Sequence, residues 1–343
     1  MTTIVFAPNW LGDAVMALPA IQDVRRHAAS GRVMVAARPA VAGLMRLAGC
    51  GDDVITLAGS GGIWSFRRFG GDVDAIRAPK ADVAILLPNS MHAALLAARA
   101  GIAERWGYAR DLRRALLSRA VARPPAGLHQ VDYYRHLVGA LGIEHGPRDP
   151  HVEAPPAALA SARSLLEAGG WTRDHGLVAF APGAAYGGAK RWPPERFAAV
   201  IESIAAASGI TPVLVGGAAD SAAAMAIEAE LGKITRPASR GGLINLVGRT
   251  DLPQLCGVLS SCAVLVSNDS GAMHVAAALG VAVVGLFGPT NERATAPVGR
   301  GASRVMTAPA WCRPCMLREC PLDHRCLSGI TVEAVAGAVK ELI

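Results

Sequence analysis

Aromatic residues are scarce, at 5% of 343, whereas Ala, Val, Leu and Gly abound. That balance favours α/β layers with close helix-to-strand packing. No uninterrupted apolar run is long enough to span a membrane: the longest, residues 272–287, contains His274 and is divided by Gly280 into a helix and a strand. The opening stretch MTTIVFAPNWLGD has no basic leader and breaks at Pro8, which argues against a signal peptide and predicts a cytoplasmic protein. The cysteines number seven, an odd set that, without a signal peptide, argues against a secreted disulfide scaffold. Neither a G-x-x-x-x-G-K-[ST] loop nor a G-x-G-x-x-G turn after the first strand is present, so the P-loop and dinucleotide fingerprints are both missing. There is no short internal repeat, and no low-complexity tract beyond the richness in alanine.

What is present is an alternation. Apolar runs at residues 3–8, 32–36, 54–57 and 83–87 interleave with helical patterns at about 13–28, 40–47 and 91–100, and residues 129–141 close this half. Pro147, Pro150, Pro155 and Pro156 mark a linker. A second alternation follows, with strands at 177–181, 211–215 and 245–247 and helices at 193–207, 219–231 and 252–260. It ends in the unit VLVSNDSGAMHVAAALGVAVVGLFGPT, residues 264–290. The fold expected is α/β: two Rossmann-like, doubly wound parallel-sheet domains facing a central cleft, with bounds 1–155 and 156–330 and a helix over 331–343. Ligands of such sheets sit at the carboxyl ends of the strands, which directs attention to the corners there.

Four corners carry polar or glycine-rich chemistry. Residues 268–271 (N-D-S-G) open a helix, where backbone N–H groups and the aligned peptide dipoles suit a phosphate; a plain capping role for Asp269 or Ser270 is the competing reading. His274, one turn on, either donates to a phosphate oxygen or is a satisfied interface histidine. Residues 181–194 (A-P-G-A-A-Y-G-G-A-K-R-W-P-P) form a glycine-bearing corner at Gly183 in which Lys190 or Arg191 could neutralise a diphosphate leaving group, unless the loop is merely solvated. Asp220, after Gly216-Gly217, is either a ribose ligand or a helix-start aspartate. Asp13 follows a strand and Gly12, and is either a general base or an N-cap.

Charge is uneven. The formal net is +7, and residues 99–123 hold seven arginines against Glu104 and Asp111, a local +5 that predicts an anionic partner for the N-terminal half. Cys312-x2-Cys315-x4-Cys320-x5-Cys326 has a first pair with zinc-ligand spacing, so a structural zinc competes with reduced thiols or a fortuitous disulfide. Cys50, Cys256 and Cys262 lie in apolar surroundings and read as packing residues.

Read together, P-N-W-L-G-D-A at 8–14, L-P-N-S at 87–90, P-G-A-x-Y-G-x-A-K-R-W-P at 182–193 and S-N-D-S-G-x-M-H-V-A-A-A-L at 267–279 resemble the ADP-heptose:lipopolysaccharide heptosyltransferases, above all the heptosyltransferase II branch. The resemblance extends to about Pro297 and implies the GT-B fold of inverting glycosyltransferases. It implies transfer of L-glycero-D-manno-heptose from ADP-heptose to a heptose of the Kdo–lipid A inner core, by a monomer in the cytoplasm peripheral to the inner membrane. In that likeness Asp13 matches the catalytic base and Lys190 the residue that stabilises departing ADP. Gly183, Arg191, Asn268, Asp269, Ser270, Gly271 and His274 fall in the donor site, with Asp269 on sugar hydroxyls; Asp220 is a looser match to a ribose-contacting acid. Asn9, Asn89, Ser90, Arg110, Arg113 and Arg114 would face the phosphorylated acceptor. No D-x-D motif stands beside the donor site, so no metal cofactor is implied there. The cysteine-rich tail departs from the family pattern, and the last helix is expected to cross back onto the N-terminal domain as GT-B tails do. Two alternatives stand beside this reading. One is another GT-B nucleotide-sugar enzyme, either a heptosyltransferase I-like transferase or an epimerase. The other is a zinc-containing nucleic-acid-binding protein, weakened because the arginines lack interleaved aromatics.

Overall fold

The computed structural model describes residues 1–59, 65–110, 112–233 and 242–343; Asp111 of the basic run lies outside them. The chain divides into two compact units, Met1–His151 and Val152–Ile343. The first unit contains, in order, β1 (Thr2–Phe6), α1 (Leu11–His27), β2 (Arg32–Ala37), α2 (Pro39–Leu47), β3 (Asp53–Thr56), α3 (Ser65–Arg77), β4 (Val83–Leu86), α4 (Met91–Arg99), β5 (Glu104–Tyr108), β6 (Arg119–Val121) and α5 (Gln130–Ala140). The second contains α6 (Pro156–Ala168), β7 (Gly176–Ala181), α7 (Pro194–Ser208), β8 (Ile210–Leu214), α8 (Ser221–Gly232), β9 (Ile244–Asn245), α9 (Leu252–Ser260), β10 (Val264–Asn268) and α10 (Gly271–Ala278). It closes with β11 (Ala282–Phe287), α11 (Glu292–Thr295), β12 (Ser303–Thr307), α12 (Arg325–Ser328) and α13 (Val332–Leu342).

Each unit is built on a six-stranded parallel sheet, ordered β3-β2-β1-β4-β5-β6 in the first and β12-β11-β10-β7-β8-β9 in the second. Strands covered on both faces need continuous apolar runs, and β1, β4, β7, β8 and β10 supply them. The order reverses between β1 and β4 in one sheet and between β7 and β10 in the other. At such switch points the loops diverge to opposite faces and leave a crevice at the carboxyl ends. The corners at Asp13, Asn89-Ser90, Lys190 and Asp269 follow β1, β4, β7 and β10 and therefore border these two crevices, whereas the Asp220 corner follows β8.

Local signals set the helices that matter. Asp251 accepts from the Gln254 N–H at 2.8 Å while Gln254 accepts from the Asp251 N–H at 3.0 Å, a reciprocal cap that starts α9. Ser90 accepts from the Ala93 N–H at 3.4 Å and so starts α4 just after the β4 corner. In the second unit the core gathers Val178, Phe180, Trp192, Phe197, Val266 and Leu286 around the sheet, and α13 joins it through Val335, Ala336, Ala338 and Val339. The final helix, α13, packs on α7, β10 and β11 of its own unit. The Trp192 indole N–H donates to the carbonyls of Leu327 and Ile330 at 3.2 and 3.3 Å, which holds the approach to α13 against that sheet.

Candidate active site

The corner after β10 is built around one carboxylate. Asp269 is 6% exposed, and its Oδ2 accepts from Lys190 Nζ at 2.6 Å and from the Thr290 hydroxyl at 2.7 Å. Lys190 Nζ also lies 4.7 Å from the centre of the Tyr186 ring, a favourable seat for a cation. Three loops, after β7, β10 and β11, thus meet in the Lys190–Asp269–Thr290 group. Both charged side chains are largely shielded from water, so deleting either one strands the other at a cost of about 3–5 kcal/mol.

Beside this group α10 begins. Ser270 occupies the N-cap position without making a side-chain cap; its hydroxyl instead pairs with Ser267 Oγ at 3.0 Å. An N-terminus without a side-chain cap presents backbone N–H groups to an anion. Gly271 is the first helical residue, and His274, in the first turn, is 4% exposed.

Asn268 departs from expectation. It is fully buried, its Oδ1 accepts from the Trp192 N–H at 3.1 Å, and its Nδ2 donates to the Pro182 carbonyl at 2.7 Å. With both polar atoms on backbone, it ties the ends of the Gly183–Lys190 loop to β10 and does not reach a ligand. Gly183 and Asp220, in contrast, come together. A Cβ at residue 183 would overlap the Asp220 carboxyl group, so only glycine lets that carboxylate approach the loop. Asp220 Oδ2 accepts from the Gly217 N–H at 3.0 Å. Arg191 is exposed.

The cysteine-rich tail folds over the same loop. The Tyr186 hydroxyl donates to the Met316 carbonyl at 2.7 Å, the Ala189 N–H donates to the Arg318 carbonyl at 2.9 Å, and the Gly188 N–H donates to Glu319 Oε1 at 3.0 Å. Gly187, at φ +154°, packs its Cα against the Arg318 backbone. The expected zinc set of Cys312, Cys315, Cys320 and Cys326 does not fit this arrangement. Among the described residues no three Cys, His, Asp or Glu side chains are grouped to hold a metal ion. The segment between Cys315 and Cys320 is drawn onto the 186–189 loop, while Cys326 is buried in the second unit's core. Burial raises the Cys326 thiol, and the charges of Cys312, Cys315 and Cys320 add to it, so the four cysteines are neighbours. Cys50, Cys256 and Cys262 are buried packing residues whose thiols burial pushes up to about 12.

In the first unit, Trp10 holds the cap position of α1 and its side chain makes no cap, which places Asp13 at the third helical position and not at the N-cap. Its negative charge reaches Tyr134, whose hydroxyl is pushed well above its ordinary value first by burial and then by Asp13. A recess at the carboxyl ends of β1, β2 and β4 is lined by Asn9, Arg38, Asp72, Ser90 and His92 among others. The His92 imidazole is lowered by burial first and by Arg38 next, with Asp72 opposing.

Arg113 is corrected as an acceptor-facing residue. It is fully buried, with Nε donating to the Tyr108 carbonyl at 3.0 Å, Nη1 to the Pro88 carbonyl and Nη2 to Asn89 Oδ1 at 3.2 Å. Asn89 in turn donates to the Tyr133 hydroxyl at 2.8 Å, so Arg113 and Asn89 together brace the corner after β4. Arg105 and Arg119 likewise donate to backbone carbonyls, and part of the basic run is therefore architecture; Arg110 and Arg114 remain exposed. Sequence reasoning missed Thr290, Tyr186 and the bracing role of Arg113. The first two stand inside motifs quoted above, G-P-T and A-Y-G-G-A-K, and could have been marked by their positions after strands.

Comparison with known proteins agrees with this geometry. The model of glycosyltransferase family 9 (heptosyltransferase) matches residues 73–325. The lipopolysaccharide heptosyltransferase 2 of Salmonella typhimurium is 30% identical, the match covering 88% of this chain and 87% of that protein. Among solved structures, the Escherichia coli ADP-heptose lipopolysaccharide heptosyltransferase II superposes with a TM-score of 0.80 at 25% identity, covering 100% of this chain and 98% of that one. The E. coli heptosyltransferase WaaC with ADP has the same fold, with a TM-score of 0.74 at 19% identity over the whole of both chains. The folds are those of GT-B enzymes, and this chain is a glycosyltransferase that belongs to glycosyltransferase family 9, the heptosyltransferases.

Proposed function

We propose that the enzyme transfers L-glycero-D-manno-heptose from ADP-heptose to a heptose of the Kdo–lipid A inner core, with inversion at the anomeric carbon. The observation that carries this reading is the Lys190–Asp269–Thr290 group beside the α10 N-terminus, at the switch point of the second sheet. Donor binding falls to the second unit (152–343) and acceptor binding to the first (1–151). The diphosphate lies on the Ser270 and Gly271 N–H groups, with His274 and Arg191 contributing, and the ribose on Asp220. Asp269 anchors Lys190 through Oδ2 and offers its other oxygen to sugar hydroxyls.

Asp13 takes the proton from the acceptor hydroxyl. The freed oxygen attacks the anomeric carbon, the bond from that carbon to the diphosphate oxygen breaks, and ADP departs with its new charge met by Lys190 and the α10 amides. Asn9, Ser90, Arg110 and Arg114 orient the phosphorylated acceptor. No metal takes part in this scheme. Among the described residues no helix is long and apolar enough to cross a membrane. In this reading the enzyme meets its lipid-linked acceptor at the cytoplasmic face of the inner membrane. The test is mass spectrometry of the product formed from ADP-heptose and a truncated inner-core acceptor. A gain of one heptose supports the reading; turnover of a UDP-sugar in preference to ADP-heptose overturns it in favour of another GT-B activity.

A further inference from the structure

The donor corner is short of positive charge for a diphosphate. Lys190 is matched by Asp269 at 2.6 Å, and two further carboxylates touch the same loop: Asp220 against Gly183 and Glu319 on the Gly188 N–H. A nucleoside diphosphate brings further negative charge and needs a cation that is not already neutralised. Arg318 meets that need. Its guanidinium carbon lies 5.5 Å from the centre of the same Tyr186 ring that carries Lys190 at 4.7 Å, so one ring seats both cations. Among the described residues the Arg318 guanidinium makes no hydrogen bond or ion pair, and the side chain is exposed. Its backbone is fixed nonetheless, because the Arg318 carbonyl accepts from the Ala189 N–H at 2.9 Å and Gly187 packs against it. Beside the exposed Arg191, already placed on the diphosphate, the residue thus adds a second cation with an anchored main chain and an uncommitted charge at the edge of the Lys190 loop. Water-exposed ion pairs within a protein contribute little, but a planar guanidinium closing on a phosphate makes paired, charge-assisted hydrogen bonds.

We infer that Arg318, supplied by the cysteine-rich tail, is a donor-binding residue that closes on the diphosphate of the nucleotide sugar and supplies the positive charge that Asp269 withholds from Lys190. This rests on the ADP-heptose reading above. It gives the tail a task of its own: residues 316–319 hold Arg318 over the 186–190 loop through the Met316 and Arg318 carbonyls and the Glu319 carboxylate, none of which uses the Arg318 side chain. The Arg318→Ala variant therefore keeps the main-chain latch and loses the charge with its seat on the Tyr186 ring, and melting temperatures separate a binding role from a structural one.

The experiment is calorimetric titration of ADP into the full-length wild-type chain, Arg318→Ala and Arg318→Lys, at low salt and at about 0.5 M salt, with thermal melts of all three. At low salt Arg318→Ala should bind ADP about tenfold more weakly than wild type, Arg318→Lys should recover only the part of that loss due to charge, and melting temperatures should coincide. At high salt the gap between wild type and Arg318→Ala should narrow, since the missing contact is between exposed charges. Equal affinities at low salt overturn the inference, as does a loss that persists undiminished at high salt together with a lowered melting temperature, which marks a structural role. Wild-type protein that does not bind ADP overturns the donor reading itself, and this assignment with it.

Discussion

In the first unit the strands run β3-β2-β1-β4-β5-β6, and in the second β12-β11-β10-β7-β8-β9, so each sheet has its switch point at its centre. Around the second switch point the polar side chains converge on one another: Lys190, Asp269 and Thr290 share a carboxylate oxygen, and Asp220 closes on Gly183. Around the first, Asn9, Arg38, Asp72, Ser90 and His92 line a recess, and the side chains of the corner after β4 serve the frame. Arg113 and Asn89 are committed to carbonyls and a tyrosine hydroxyl, and Asp13 stands at the third position of its helix. Two copies of one architecture thus use polar groups differently, one gathering three side chains on a single carboxylate oxygen and the other bracing the corner after β4. Preorganisation of charge is what a donor diphosphate requires, and a base at a helix entrance is what an acceptor hydroxyl requires.

Variants that act on one unit and spare the other sharpen this contrast. The largest effect is expected from Asp13→Ala, which should lower the turnover of ADP-heptose with an inner-core acceptor about a thousandfold; turnover within tenfold of wild type breaks the assignment of the base to the first unit. Next comes Arg113→Met, which leaves the Pro88 and Tyr108 carbonyls without their buried donor. It should destabilise the protein by about 3 kcal/mol in denaturant unfolding with little change in ADP affinity. A stable Arg113→Met variant with a raised acceptor KM returns Arg113 to the acceptor set. Gly183→Ala pushes a methyl group into the Asp220 carboxyl and should weaken ADP-heptose about tenfold in calorimetry, whereas unchanged affinity detaches Asp220 from the donor. The smallest effect falls on Thr290→Val, which removes one hydrogen bond to Asp269 and should lower kcat/KM about fivefold.

Much of the architecture was legible as pattern. Apolar runs such as T-I-V-F-A-P and V-L-V-S-N can be buried on both faces only in parallel sheets, and the interleaved helices then dictate a doubly wound fold. The strand β5 was not legible, because E-R-W-G-Y carries charge and glycine in place of an apolar run. The corners at Asp13, Lys190 and Asp269 were legible too, since polar and glycine residues directly after an apolar strand have few other uses. Who pairs with whom was not. Asn268 and Arg113 have the chemistry of ligand-binding residues, and only their burial and backbone partners reveal that they hold loops. The cysteine tail shows the same limit: spacing suggests a metal knot, whereas the Met316 and Arg318 carbonyls between Cys315 and Cys320 accept from the Tyr186–Ala189 loop. The final helix depended on tertiary packing alone, and its apolar face fits the second unit's sheet as well as any other.

The central claim is that the donor is held by the second unit and the reaction is driven from the first. It is tested most directly by titrating ADP-heptose into Asp13→Ala and Lys190→Ala by calorimetry, with thermal melts to confirm that both are folded. Asp13→Ala should bind within a few fold of wild type, and Lys190→Ala should bind at least tenfold more weakly. The opposite pattern, with affinity lost in Asp13→Ala and kept in a folded Lys190→Ala, contradicts the account.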